Sequence, residues 1–124
     1  MLPKNAPLEK DIQRKICDWL HDNGYFFWRN NNIPAFSIRG GKMIMRTLPK
    51  YTPRGLPDII VIYQGAFIGI EVKRPGRYGR TESKLTEDQA NFGIKCEENG
   101  GRYLVIRSVE ELIVNFSVYY EKTK

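Results

Sequence analysis

Residues 55–74 constrain the fold more than any other part of the chain, because they read as two apolar strands joined by a tight turn. Residues 59–63 and 66–70 are short runs rich in apolar and β-branched side chains, which favour strands. Gln64 and Gly65 separate the runs and are typical turn residues. The pattern predicts an antiparallel β-hairpin.

A two-residue turn would fix how the two strands pair. It places Tyr63 opposite Ala66 and, further out, Asp58 opposite Glu71. Directly opposed side chains on one sheet face have Cβ atoms roughly 5 Å apart, and Lys73 projects to the same face as Glu71. A four-residue loop preserves this register, whereas a three- or five-residue loop breaks it.

The predicted carboxylate pair has a chemical consequence. Two carboxylates this close repel one another, and the apolar strand residues around them make ionisation costly unless a cation lies between them. Hard oxygen ligands of this kind suit Mg²⁺ or Mn²⁺. The ammonium of Lys73 could orient an attacking water. The alternative interpretation is that Asp58 caps a turn and that Glu71 and Lys73 end an edge strand as a solvated ion-pair cluster.

Four segments together resemble a known nuclease superfamily. They are Gly55-Leu-Pro-Asp58, Glu71-Val-Lys73, Leu85-Thr-Glu-Asp-Gln89 and Gly100-Gly101 followed by a strand. The chain resembles the PD-(D/E)xK nucleases over residues 8–116, and in particular the small stand-alone VRR-NUC domain nucleases of phages and bacteria. The resemblance implies a restriction-endonuclease-like core, in which helices flank a mixed central β-sheet.

The resemblance also implies roles for individual residues. It assigns catalytic roles to five side chains: Glu9, Asp58, Glu71, Lys73 and Gln89. It assigns metal binding to three residues: Asp58, Glu71 and Val72. For the glutamate on the first helix, Asp11 is the nearest competitor of Glu9. Gln89 also has a structural explanation, since Thr86-Glu-Asp-Gln89 is a capping box that starts a helix.

The charge distribution predicts a polyanionic partner. The net charge is +6, and residues 29–84 carry eleven Lys and Arg against three Asp and Glu, a balance of +8. Such a basic surface around an acidic pair is expected of a protein that grips a phosphate backbone. The predicted nucleic-acid-binding residues are Arg39, Lys42, Arg46, Arg74, Arg77, Tyr78, Arg80 and Lys84. Alternatively, these charges lie on irregular, solvated connections.

The remaining pattern predicts a single α/β domain over residues 1–124. Helices are expected at 8–22, from the Thr86 box to about 99, and after Ser108; strands are expected at 25–28 and 103–107. Gly40-Gly41 could turn a second hairpin within residues 36–45. A right-handed crossover through the second helix would make the strand of Glu71 parallel to strand 103–107.

Composition excludes several classes of protein. No apolar run approaches the roughly 20 residues of a membrane span, and the first residues lack the apolar core of a signal peptide, so an intracellular, cytoplasmic protein is expected. The two cysteines are too few for a disulfide framework, and a single histidine cannot build a zinc cluster.

These observations lead to a hypothesis of function. The chain is expected to be a Mg²⁺-dependent endonuclease of DNA, with Mn²⁺ as a substitute. The resemblance implies branched DNA such as Holliday junctions as substrate, and a homodimer. Surplus apolar residues at 26–28 and 33–36 could form the dimer interface. The alternatives are a non-catalytic DNA-binding module and a flap- or RNA-directed nuclease, and the sequence leaves a helicase partner open.

Overall fold

The computed structural model describes residues 7–30, 36–39, 41–45, 49–76 and 84–120, with only the backbone of 36–39, 42–45 and 118–120. Within these ranges three helices and six strands follow one another: α1 (Glu9–Asp22), β1 (Phe26–Arg29), β2 (Phe36–Arg39), β3 (Lys42–Met45), β4 (Ile59–Tyr63), β5 (Ala66–Val72), α2 (Glu87–Glu98), β6 (Arg102–Ile106) and α3 (Val109–Tyr120). The predicted elements are confirmed, with bounds that shift by one or two residues.

A mixed four-stranded sheet forms the centre of the fold. Its strand order is β1-β4-β5-β6, with β1 and β5 antiparallel to β4, and β6 parallel to β5. The predicted parallel pairing of β5 and β6, with α2 between them in the chain, is confirmed. Strands β2 and β3 form a separate hairpin in which Arg39 is opposite Lys42, as the two glycines predicted. The α/β class with a mixed sheet flanked by helices is therefore confirmed.

The β4–β5 hairpin has the predicted register. Tyr63 is opposite Ala66, and Ile60 is opposite Gly69. Its two turn residues, Gln64 and Gly65, have φ angles of 49° and 81°. Two consecutive positive φ angles define a type I′ turn, whose twist matches that of the flanking strands. This turn fixes the alignment of both strand ends.

The two faces of the sheet have different roles. Alternate residues of β4, β5 and β6 pack with α1 and α3 in one apolar core, whose members are Ile12, Ile16, Leu20, Ile59, Val61, Ile68, Ile70, Val72, Ile106, Leu112 and Phe116. Because side chains alternate along a strand, Glu71 between Ile70 and Val72 must point to the opposite face. Helix α2 packs on that face, where a Cβ at Gly93 would lie 2.7 Å from the Tyr103 ring.

Helix α2 begins at the predicted capping box. The main-chain amide of Gln89 donates to Thr86 Oγ1 at 3.2 Å, and the main-chain amide of Thr86 donates to Gln89 Oε1 at 2.9 Å. The Glu111 amide likewise donates to Ser108 Oγ at 3.1 Å at the start of α3. None of the described helices is long and apolar enough to cross a membrane.

The loop before β4 is held against the start of α2 by a close approach at Gly55. Its φ is 77°, and a Cβ there would lie 2.3 Å from the main-chain oxygen of Asp88. Both conditions exclude a side chain. Gly55 therefore lets the segment before Asp58 touch the helix that carries Gln89.

We expect Gly55→Ala to destabilise the protein by about 3 kcal/mol or more, because it adds a backbone clash to the strain of a positive φ. Gly65→Ala is the matched control. Gly65 has a similar φ of 81° but no atom within 4 Å of its Cβ position, so only the strain applies, about 1–2 kcal/mol. Urea unfolding of both variants measures the difference. Equal losses of unfolding free energy in the two variants would contradict the close approach of Gly55 to the main chain of Asp88.

Candidate active site

Asp58 lies immediately before β4 and is fixed across the hairpin by its own side chain. Its Oδ2 accepts a hydrogen bond from the Val72 amide at 2.8 Å. This bond uses an N–H beyond the last described β4–β5 pair, Ile59 with Ile70. The carboxylate of Asp58 is thereby held at the end of β5, beside Glu71.

Glu71 is the most buried charged side chain described, with 3% exposure. Its Oε1 accepts a hydrogen bond from Gln89 Nε2 at 2.7 Å and lies 3.9 Å from Lys73 Nζ. Its Oε2 is buried and has no hydrogen-bond partner among the described residues. Lys73 is itself only 8% exposed. The site therefore combines buried charges with one carboxylate oxygen that is not satisfied.

Burial raises the pKa of Glu71 from 4.5 to about 8. Desolvation is the largest cause, and repulsion from Asp58 is the next; the Lys73 ammonium acts in the opposite direction but does not compensate. A hydrogen bond between the Glu71 and Asp58 carboxyls, which requires a proton on one of them, raises the pKa of Glu71 further. Glu9, in the first turn of α1, also raises this pKa. Its carboxylate thus acts electrostatically on the site, and Asp11 is not among the causes.

Four of the five side chains predicted from the sequence are thus brought together by two regions of the fold. The β4–β5 hairpin supplies Asp58, Glu71 and Lys73, and helix α2 supplies Gln89. Glu9, in the first turn of α1, influences Glu71 only through its charge. Val72 contributes differently, because its side chain is buried in the core. Only its main chain can reach the site, and its N–H already faces Asp58.

Tyr103 is a residue of this site that the sequence reasoning missed. Its hydroxyl is buried without a hydrogen-bond partner among the described residues. Burial, followed by the charges of Glu71 and Asp58, raises the pKa of its phenol above the ordinary value. The phenol therefore stays protonated as a donor at neutral pH. The sequence signal was Gly93, which leaves room for the ring.

The predicted basic residues are described only in part. Arg74 is half-buried two residues after the end of β5, and Lys84 is exposed two residues before Thr86. Arg39 and Lys42 pair across the β2–β3 hairpin through their backbones. The predictions for Arg46, Arg77, Tyr78 and Arg80 fall outside the described residues.

The donor set fits Mg²⁺ better than a softer metal. Among the described residues there is no group of three or more His, Cys, Asp and Glu side chains. Mg²⁺ does not require one, because it commonly binds through one or two carboxylates and completes its shell with water and phosphate oxygens. The unsatisfied Glu71 Oε2 and the raised Glu71 pKa both indicate a site that lacks positive charge.

Comparison with solved structures decides the fold. Two solved chains match with TM-scores of 0.55 and 0.56, and they are titled "VRR_NUC domain" and "VRR_NUC domain protein". The fold is that of a VRR-NUC domain. The matches cover 90% and 97% of this chain and 96% and 92% of theirs, at 16% sequence identity in both cases. No protein-family model and no curated protein matches the sequence. The predicted VRR-NUC fold, with helices flanking a mixed sheet, is confirmed.

The raised pKa of Glu71 makes the stability of the metal-free protein depend on pH. Between about pH 4.5 and 8 the folded protein holds a proton that the unfolded chain releases, so the free energy of unfolding falls as pH rises through this window. Glu71→Gln mimics the protonated form and cannot titrate. In EDTA, we expect the free energy of unfolding of Glu71→Gln to rise relative to that of wild type as pH increases from 4.5 to 8. The expected increase is on the order of 2–4 kcal/mol.

Urea unfolding at several pH values measures this difference. Glu110→Gln is the control, because Glu110 is an exposed acid in the first turn of α3. The difference in free energy of unfolding between Glu110→Gln and wild type should not change with pH. If the difference in free energy of unfolding between Glu71→Gln and wild type also did not change with pH, the raised pKa of Glu71 would be contradicted.

Proposed function

We propose that this VRR-NUC fold is a Mg²⁺-dependent endonuclease that hydrolyses phosphodiester bonds of DNA. The observation that carries the proposal is the buried pair Asp58 and Glu71 with the Lys73 ammonium 3.9 Å from Glu71 Oε1. Its environment disfavours two negative charges, and so favours a divalent cation there. The titles of the two similar structures and the basic net charge of +6 support the same chemistry.

Asp58, Glu71 and the main-chain carbonyl of Val72 would hold the ion. When bound, Mg²⁺ would polarise the scissile phosphate and neutralise charge that develops in the transition state. Mn²⁺, which also favours carboxylate, carbonyl and water ligands, is expected to substitute.

The protein's own groups have separable tasks. Lys73, held in place by its low exposure and its proximity to Glu71, is suited to orient the attacking water. Gln89 donates to Glu71 Oε1 and so fixes the direction of the other oxygen, Oε2. We assign Glu9 a weaker electrostatic role at the rim, since it is the last of the groups that raise the pKa of Glu71.

The site assignment predicts which variants lose cleavage. Asp58→Asn keeps an oxygen for the Val72 amide, and Glu71→Gln keeps one for Gln89, but each removes a charge that would bind the metal. We expect both, and Lys73→Met, to reduce Mg²⁺-dependent nicking of a supercoiled plasmid below detection. Gln89→Leu keeps both carboxylates but removes the hydrogen bond to Glu71 and the acceptor of the Thr86 amide, and it should cost about 10- to 100-fold.

Two exposed residues provide matched controls, Glu110→Gln on α3 and Lys15→Met on α1. Both should cleave like wild type. Binding of labelled DNA in EDTA, measured by anisotropy, should survive in all variants, because none of them alters a residue of the predicted phosphate-binding set. Wild-type cleavage by Glu71→Gln would refute the metal site.

We further propose that the protein acts as a homodimer on branched DNA such as Holliday junctions. Strand β1 is an edge of the central sheet, and on it Phe26 is 68% and Trp28 is 41% exposed, with ring centroids 6.0 Å apart. Phe27, also expected in the interface, instead packs half-buried against the core. A two-fold dimer presents two equivalent sites, as a four-way junction presents two equivalent strands.

The dimer proposal predicts a specific disruption. Phe26→Lys adds charge at the exposed edge without touching the core, and we expect it to convert the dimer to a monomer and to uncouple paired cuts on a mobile junction. Val114→Lys is the control, since Val114 is 62% exposed on α3. Sedimentation across micromolar concentrations and mapping of the cuts test both. A wild-type monomer that cuts only flaps or linear ends would reject the proposal and leave the metal site untouched.

A second candidate function is a DNA-binding module without catalysis. The presence of the complete Asp58, Glu71 and Lys73 set disfavours it. Plasmid nicking with and without Mg²⁺ separates the two, and the same assay on RNA addresses an RNA-directed nuclease. A partner helicase is compatible with each of these functions, and no feature of the described residues selects it.

A further inference from the structure

A cleft lies beside the candidate active site, on the side of α2. Its volume is about 540 Å³, within the range typical of ligand pockets. Its lining is formed by Pro53, Arg54, Phe67, Asp88, Asn91, Phe92, Lys95, Cys96, Asn99 and Gly101. The segment before Gly55 forms one wall and α2 forms the other. The proposed metal chemistry uses none of these residues.

The cleft is joined to the active site through α2. Positions 88, 92, 95 and 99 recur at three- and four-residue spacing, so they lie along one side of the helix. Asp88 of the lining directly precedes Gln89, whose side chain donates to Glu71. A chain bound at Glu71 could therefore reach the cleft within a short distance.

The cleft combines an aromatic lining with cations at its rim. Phe67 and Phe92 are half-buried and line it, and the Phe92 ring lies 6.0 Å from the ring of Tyr103. Arg54 and Lys95 are exposed, against the single acid Asp88. Neither cation forms an ion pair with an acid in the described part of the chain. Both cations are thus available to a ligand.

Aromatic faces next to cations are the recurring means by which proteins hold single-stranded nucleic acid. The aromatic faces stack on bases, and the cations contact phosphates. A base inside a duplex is already stacked and paired, so only an unpaired nucleotide could use the Phe92 and Phe67 faces. The exposed Asn91 amide adds a donor and an acceptor for a base edge.

We propose that this cleft binds one unpaired nucleotide of the DNA substrate, next to the phosphodiester that the Asp58 and Glu71 site cuts. The base stacks on Phe92, and the flanking phosphates contact Arg54 and Lys95. This inference rests on the proposed nuclease function for its biological sense. The binding itself requires no metal and no cleavage, so it can be tested separately.

The first test measures binding of a short fluorescein-labelled oligothymidylate in EDTA by anisotropy. Phe92→Leu keeps an apolar side chain beside Tyr103 but removes the stacking face, and it should weaken binding about 5- to 100-fold. Lys95→Gln should lower the slope of log affinity against log salt by about 0.7, the value for one phosphate contact on a single strand.

Lys15→Gln is the matched control for charge, because Lys15 is exposed on α1, away from the cleft lining. It should leave the slope unchanged. Free thymidine monophosphate is the control for the ligand. If it bound as tightly as the oligonucleotide, the cleft would hold a free nucleotide and the assignment to a substrate strand would be wrong.

The two cysteines provide a second readout that needs no variant. Both are half-buried, and burial raises the pKa of both thiols, but only Cys96 lines the cleft. The oligonucleotide should slow alkylation of Cys96 by N-ethylmaleimide several-fold and leave Cys17 unchanged. Mass spectrometry of the peptides measures both rates.

Unchanged affinity in Phe92→Leu, with equal alkylation of Cys96 in the presence and absence of the oligonucleotide, would overturn the cleft proposal. The nuclease proposal fails in a different way. A protein that nicks plasmid in Mg²⁺ but fails these binding tests rejects the cleft alone. A protein that passes them without cleaving any DNA rejects the nuclease assignment alone.

Discussion

The candidate site depends on the hydrogen bond from the Val72 amide to the Asp58 carboxylate. Without it, Asp58 would lie beyond the paired part of β4 and could turn away from Glu71. A hydrogen bond to a charged group contributes about 1.5–3 kcal/mol, and here it holds the Asp58 carboxylate beside Glu71, whose raised pKa reflects the cost of a second negative charge. The hairpin on one side of β5 and the parallel strand β6 on the other keep the main chain of Val72 in place. The fold thus holds together two groups that electrostatics alone would separate.

Helix α2 contacts this pair through the side chain of Gln89. Gln89 accepts a hydrogen bond from the Thr86 amide with its carbonyl oxygen and donates one to Glu71 with its nitrogen. The residue that closes the first turn of the helix therefore also orients the carboxylate. The structural and the functional explanation of Gln89 are both satisfied, since each uses a different atom of the amide. A substitution at the start of α2 would consequently change the orientation of the Glu71 carboxyl.

Close packing around three glycines brings the site and the cleft together. Gly55 lets the preceding segment touch the start of α2, while Gly69 and Gly93 leave room for Pro57 and Tyr103. Because the Tyr103 ring fills the space between α2 and β6, the helix lies close enough to the sheet for Gln89 to reach Glu71. Pro53 and Arg54, which precede Gly55, line the cleft together with residues of α2. One packing arrangement therefore accounts for both features.

The sequence determined the part of this protein that depends on local rules. A two-residue turn and strict alternation of side chains suffice to align Asp58 with Glu71, and Thr86 with Gln89 suffices to start α2, so these could be predicted. The depth of burial could not, because it depends on how α2 covers the sheet. Only the tertiary structure shows the raised pKa of Glu71, the place of Tyr103 on the neighbouring strand and the cleft behind Gly55. These arise from contacts between segments far apart in the chain, which local patterns of residues do not specify.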